Sequence, residues 1–162
     1  LNILPRLPWD IRLALIGGGP MQATIEQAIA SFPNVSLLPP RRNEDMRDVY
    51  AGSDLLIVPS LWQEGMGRVI LEAMMCGLPV IGARRGAIPE VITDDTGILI
   101  EPTEDALLSS ILSLKNDEPR RKAFGIHARE HALRQFSCQN AKTIMATYDG
   151  IAGFPSTLGQ TT

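Results

Sequence analysis

Two glutamates, Glu64 and Glu72, bracket a glycine-rich turn, Gly65-Met66-Gly67, that runs through Arg68 into an apolar segment, Val69–Gly77, and on to the apolar stretch Val80–Gly82. A helix that begins at such a turn exposes backbone N–H groups at the positive end of its dipole, worth roughly half an elementary charge, which suits a phosphate. The carboxylates cannot serve that purpose. Two like charges about 4 Å apart repel by roughly 1 kcal/mol in water and about 4 near a protein surface. Glu64 and Glu72 are therefore expected to accept hydrogen bonds from neutral hydroxyls on either side of an anion. If both lay on one helix, their spacing would be about 12 Å at 1.5 Å rise per residue, enough for a sugar, a diphosphate and a ribose in series. The competing reading is a helix that packs Val69, Ile70, Ala73 and Met74 on a sheet with both glutamates merely solvated.

The elements that must position this turn follow from alternating short apolar runs and helical patterns, which predict an α/β chain with a parallel sheet between helices. Strands are expected at Arg12–Ile16, Val35–Leu38, Leu55–Val58, Val80–Gly82 and Gly97–Ile100. Helices are expected at Met21–Phe32, Asp45–Ala51 and Val69–Gly77, with a short turn at Ile88–Ile92 and Pro20 as a first helical residue. In an open parallel sheet the ligand lies beyond the carboxyl ends of the strands. That rule gathers Gly17–Pro20, Pro39–Arg42, Ser60–Arg68 and Arg84–Pro89 along one rim. Beyond Glu101-Pro102-Thr103 only helices are expected, at Glu104–Lys115, Pro119–Arg134 and Cys138–Tyr148, the last capped by Ser137. The tail 153–162 is rich in Gly, Ser and Thr and is expected to be mobile.

Taken together, Glu-Gly-x-Gly, a second glutamate eight positions after the first, Ala-Met, Gly-x-Pro-Val-Ile-Gly and Gly-Ala-Ile-Pro-Glu resemble the donor half of retaining glycosyltransferases of the GT-B fold, family 4 type. The resemblance runs from about Arg12 to Tyr148. It implies a Rossmann-like parallel β-sheet flanked by helices, the C-terminal half of a GT-B fold lacking its first strand, with a helical C-terminal segment; residues 1–152 would form the donor-binding domain. It also implies that Glu64 contacts hydroxyls of the transferred sugar and that Glu72 contacts the ribose. The backbone of Gly65, Met66, Gly67 and Arg68 would hold the sugar and diphosphate. Gly17-Gly18-Gly19-Pro20 resembles the family's Gly-x-Gly-Pro turn, making Gly17 and Gly19 donor-binding candidates, and Leu38-Pro39-Pro40-Arg41 falls where such proteins meet the base. Ala87 stands where a second glycine is common. The implied substrate is a nucleotide diphosphate sugar of UDP or GDP type, with no cofactor or metal, because cationic side chains and helix amides stabilise the leaving diphosphate. Glu64 would orient the sugar and support positive charge developing at its ring.

Family donor domains usually begin with a strand and a loop carrying Arg and Lys-Gly, followed by a helix. Here Leu1–Pro8 is expected to be that helix, already under way, so the basic pair and an N-terminal acceptor-binding domain would lie outside this chain. Arg68 is a candidate partial substitute for those cations. The isolated chain is expected to bind donor weakly and to transfer little or nothing, while the parent protein is a hexosyltransferase. A non-catalytic nucleotide-sugar or partner-binding module and a GT-B type sugar epimerase are the alternatives.

Composition bounds the rest. At 162 residues and 44% hydrophobic, the chain can bury one core. A net charge of −3 with dispersed signs argues against a nucleic-acid face. With Cys76 and Cys138 read as reduced, and neither an eighteen-residue apolar run nor a secretion signal in the sequence, a cytoplasmic protein is expected, with peripheral association of the parent at the inner membrane face a possibility left open. His127-Ala128-Arg129-Glu130-His131 fits a zinc-peptidase spelling, but these are the only histidines and no further ligand is marked, so no metal is assigned. A nicotinamide site is excluded because Gln22 stands where the third glycine belongs, and Leu38-Pro39 where an acidic residue should end the second strand.

Overall fold

The computed structural model describes residues 1–136 and Thr147. Its strands are β1 (Leu13–Ile16), β2 (Val35–Leu38), β3 (Leu56–Val58), β4 (Val80–Ala83) and β5 (Gly97–Ile100). Between and after them run α1 (Gln22–Ile29), α2 (Asn43–Ala51), α3 (Arg68–Met75), α4 (Ile88–Val91), α5 (Glu104–Asn116) and α6 (Glu118–Phe136). Every pairing among the described residues is parallel, and the apolar runs read from sequence are the strands. The ladder falls into two parts, β1 with β2 and β3 with β4 and β5. Burial follows the pairing. β4, bonded on both edges, is buried at all four positions. β3, bonded on one, is only partly buried throughout, although Leu56, Ile57 and Val58 are all apolar.

Several element ends shift by one to three residues from expectation, as where α1 stops at Ile29 rather than Phe32 and α2 starts at Asn43 rather than Asp45, and three differences have a local cause. Leu1–Pro8 is not a helix but a single 3-10 turn at Leu4–Arg6, whose flanking Ile3, Leu4 and Leu7 are buried in the core shared with α5. Pro5 heads that turn, and the following Pro8 biases Leu7 toward the extended backbone seen there, which stops a longer helix. Pro20 is not the first helical residue, since Met21 is the N-cap and α1 starts at Gln22. Helix α6 starts at Glu118, one residue before the expected Pro119, because Asp117 accepts the Arg120 amide at 3.0 Å. The segment Cys138–Tyr148 and its Ser137 cap lie outside the described residues, as does the tail.

Helix α3 is held on its inner side by fully buried Ile70, Ala73 and Met74. It can sit close to α6 because α6 turns its small residues, Gly125, Ala128 and Ala132, toward it; the Gly125 position has no room for a side chain against the Gly77 carbonyl. This packing fixes where the α3 start points. Among the described residues no helix is long and apolar enough to cross a membrane. Replacing Ala128, fully buried at that contact, with Leu is expected to cost about 1–3 kcal/mol by overpacking, read as a lower urea midpoint with unchanged slope.

Candidate functional site

The turn into α3 is built on Gly67, the helix N-cap, at φ +63°. That left-handed backbone strains any residue with a Cβ, and a Cβ here would also lie 2.9 Å from Ile70 Cδ1. Ile70 is fully buried and cannot withdraw. With glycine in place, the Gly67 carbonyl accepts the Ile70 amide at 2.7 Å, closing the first turn. Gly67 has no side chain with which to cap, and α3 has no acidic residue in its first turn.

The other helices show what this leaves open. Thr103 accepts the Ala106 amide at the start of α5, Asp117 caps α6, and α2, α5 and α6 all carry acids in their first turns. Among the described helices only α1 shares with α3 the lack of both cap and acid. These two follow the glycine-bearing loops picked out from sequence. Orphan amides without a built-in carboxylate leave their positive potential directed at whatever lies in front of them.

Glu72 and Glu64 take different positions relative to that start. Glu72 is on α3, one turn in, and its side chain is 28% exposed. Its Oε2 accepts the Tyr50 hydroxyl at 3.1 Å, and its Oε1 lies 3.3 Å from Arg68 Nε. Glu64 is not on the helix. It stands in the β3–α3 loop, where Ser60 Oγ donates to its Oε1 at 2.8 Å. The helical spacing of 12 Å therefore does not apply, because the glycine turn lets the chain change direction between the two acids.

Tyr50, on α2, was not read as a site residue. Its ring is 4% exposed, beside Ala73 and Leu78. Burial first, then the charge and hydrogen bond of Glu72, push its phenol well above its ordinary range, so it stays a donor toward the carboxylate. An aromatic at the end of a helix with apolar neighbours reads as core, and only the tertiary contact reveals its polar end. Arg68 is spent on Glu72 in this arrangement. The pair is an exposed i,i+4 contact of about 0.3–0.5 kcal/mol, which a nearby phosphate could outbid.

Gly17 and Gly19 lie past the end of β1 with positive φ, and the Gly17 amide donates to Leu38 at 3.1 Å. Their loop, with Leu15, Ile25 and Leu37, lines a cavity of about 350 Å³. Pro40 sits in contact range of Gly18, so this loop and the Pro39–Arg41 loop adjoin. Arg41 is exposed. The residues around that cavity do not include Glu64 or Glu72. What the structure does join is the β3–α3 loop with the β4–α4 loop. Ala87 donates to the Glu64 carbonyl at 3.0 Å and Gly86 donates to Gln63 Oε1 at 2.6 Å. Among the described residues no cluster of three or more His, Cys, Asp or Glu is placed to hold a metal. His127 is exposed and His131 packs edge-on against Phe136.

Tyr50→Phe removes one donor to a partly buried carboxylate and leaves the ring packing intact. Denaturant unfolding is expected to show a loss of about 0.5–1.5 kcal/mol. The raised phenol implies stability that is present below the ordinary tyrosine pKa near 10 and lost as pH rises beyond it; that alkaline loss should be smaller in Tyr50→Phe than in wild type.

Residues 2–131 match the family model described as glycosyl transferases group 1. The chain is 34% identical over 134 residues to sulfoquinovosyl transferase SQD2 of Arabidopsis thaliana, covering 80% of the chain and 26% of that protein. It is 32% identical over 136 residues to the GDP-mannose-dependent monoacylated alpha-(1-6)-phosphatidylinositol monomannoside mannosyltransferase of Corynebacterium glutamicum, covering 79% of the chain and 36% of that protein. Among solved structures, Anabaena HepE in complex with UDP superposes with a TM-score of 0.82 at 25% identity, over 91% of this chain and 43% of that one. The chain thus spans well under half the length of these relatives. It belongs to the glycosyl transferases group 1 family, with the Rossmann-like α/β architecture of a GT-B half.

Proposed function

We propose that this chain is the donor-binding part of a retaining hexosyltransferase that moves a sugar from a UDP or GDP carrier to a hydroxyl acceptor. The observation that carries the reading is the uncapped, acid-free start of α3 at Gly67, flanked by Glu64 and Glu72. HepE is known in complex with UDP and with UDP-glucose, and the C. glutamicum relative is named for its GDP-mannose dependence. Both donor bases therefore have a precedent among similar proteins.

In this reading the diphosphate rests on the first amides of α3, which supply charge stabilisation without reorganising as the leaving group forms. Glu72, steadied by Tyr50, still has lone pairs free to accept ribose hydroxyls. Glu64 accepts from hydroxyls of the transferred sugar and offers negative charge near its ring as positive charge develops there. Arg68 moves from Glu72 to the diphosphate when donor arrives. No resident cofactor is proposed. The acceptor is proposed to be bound by a further domain of the parent. The parent is proposed to work in the cytoplasm, with access to the inner membrane face. Residues 1–152 are proposed as the donor-binding domain, and the isolated chain is proposed to bind donor weakly without transfer.

Titration calorimetry with UDP, UDP-glucose, GDP and GDP-mannose tests this. Each lost hydrogen bond to a carboxylate is expected to cost about 1.5–3 kcal/mol, roughly ten- to a hundredfold in affinity. Glu72→Ala should weaken nucleotide and nucleotide sugar alike, whereas Glu64→Ala should weaken only the nucleotide sugar. Wild-type binding that is indifferent to Glu72→Ala would overturn the ribose role.

A further inference from the structure

The loop that carries Glu64 has little holding it. Pro59 and all of Leu61–Met66 are exposed, with Trp62 at 83% and Leu61 at 69%. Against that exposure stand two hydrogen bonds that cross to the β4–α4 loop: Ala87 to the Glu64 carbonyl and Gly86 to Gln63 Oε1. The two loops also touch through backbone alone. At Gly86, φ is +56°, and a Cβ there would run into the Glu64 carbonyl oxygen and lie 2.5 Å from its nitrogen. Contact that close leaves the Gly86 amide facing the loop, where Gln63 Oε1 accepts it at 2.6 Å. Of the two ends of a side-chain amide only the oxygen accepts, which fixes the orientation of the Gln63 amide. Gln63 therefore bonds one residue away from the acid whose direction matters.

We propose that Gln63 is a positioning residue whose side-chain carbonyl latches the β3–α3 loop onto the Gly86 amide and so holds Glu64 toward the sugar of the donor. This rests on the donor-site reading above and adds to it the means by which an exposed loop keeps a defined geometry. The nucleotide is served by the α3 amides and Glu72, which packing against α6 and Tyr50 fix independently of the latch. Loosening the loop should thus reach the sugar and spare the nucleotide.

The test compares Gln63→Leu, which removes the acceptor at similar size, with Gln63→Glu, which keeps an oxygen at the same reach. Calorimetry with UDP and UDP-glucose, and with GDP and GDP-mannose, gives for each variant the ratio of nucleotide to nucleotide-sugar affinity. The charge of Gln63→Glu acts on a diphosphate present in both members of each pair, so it largely cancels in that ratio. Gln63→Leu is expected to raise the ratio about tenfold, the scale of one net hydrogen bond, and to speed amide exchange across 61–67, while Gln63→Glu restores both. Because Gln63 is exposed, neither variant endangers the fold. An unchanged ratio or unchanged exchange in Gln63→Leu, or an equal loss in Gln63→Glu, overturns the latch while leaving the donor site standing. Wild-type protein that binds none of the four ligands overturns the donor site, and the positioning role with it.

Discussion

The geometry of the site depends on one local constraint, the left-handed turn at Gly67 pressed against the buried Ile70 side chain. Glycine is the residue that tolerates both the backbone angle and the contact. Because it brings no side chain, the helix it starts is left without a cap. The packing demand below and the open amides above are thus two faces of the same choice. The first turn also lacks an acid, in contrast to α2, α5 and α6, so the dipole is left unopposed where an anion is wanted.

Everything else keeps that helix start in register with its two carboxylates. The small-residue face of α6 lets α3 lie close and rigid, and Tyr50 brings a hydroxyl from α2 to Glu72 from beneath. Glu64 is governed from the other side, through the neighbouring loop at Gly86 and Ala87. One acid is thereby rigid with the scaffold and the other is tied to an exposed loop. That division matches the proposed tasks, a ribose common to every donor of a base and a sugar that has to be accommodated and released.

Much of this was legible in the sequence. The five strands follow from apolar runs of four or so residues, which a parallel sheet needs because its faces are covered. The glycine-bearing loops could be placed at one rim because parallel strands put all their carboxyl ends together. Less was visible at the margins. The start, which the family pattern implies is a helix, is bounded by Pro5 and Pro8 and admits only a 3-10 turn. The start of α6 falls one residue before the expected Pro119, because Asp117 caps it by accepting the Arg120 amide. The separation of the β1–β2 and β3–β4–β5 ladders could not be foreseen, since each strand's composition says that it is buried and not which neighbour covers its edge.

The sequence by itself determined the alternation of strands and helices, the glycine turn before α3, and which carboxylates stand on either side of it, because backbone sterics and hydrophobic periodicity act over a few residues. Tertiary structure alone decided that Glu64 leaves the helix axis, that Tyr50 and Arg68 share the Glu72 carboxylate, and that Gln63 meets Gly86. Those contacts join residues up to 23 positions apart, and side chains that distant are brought together only when the packed layers between them set the distance.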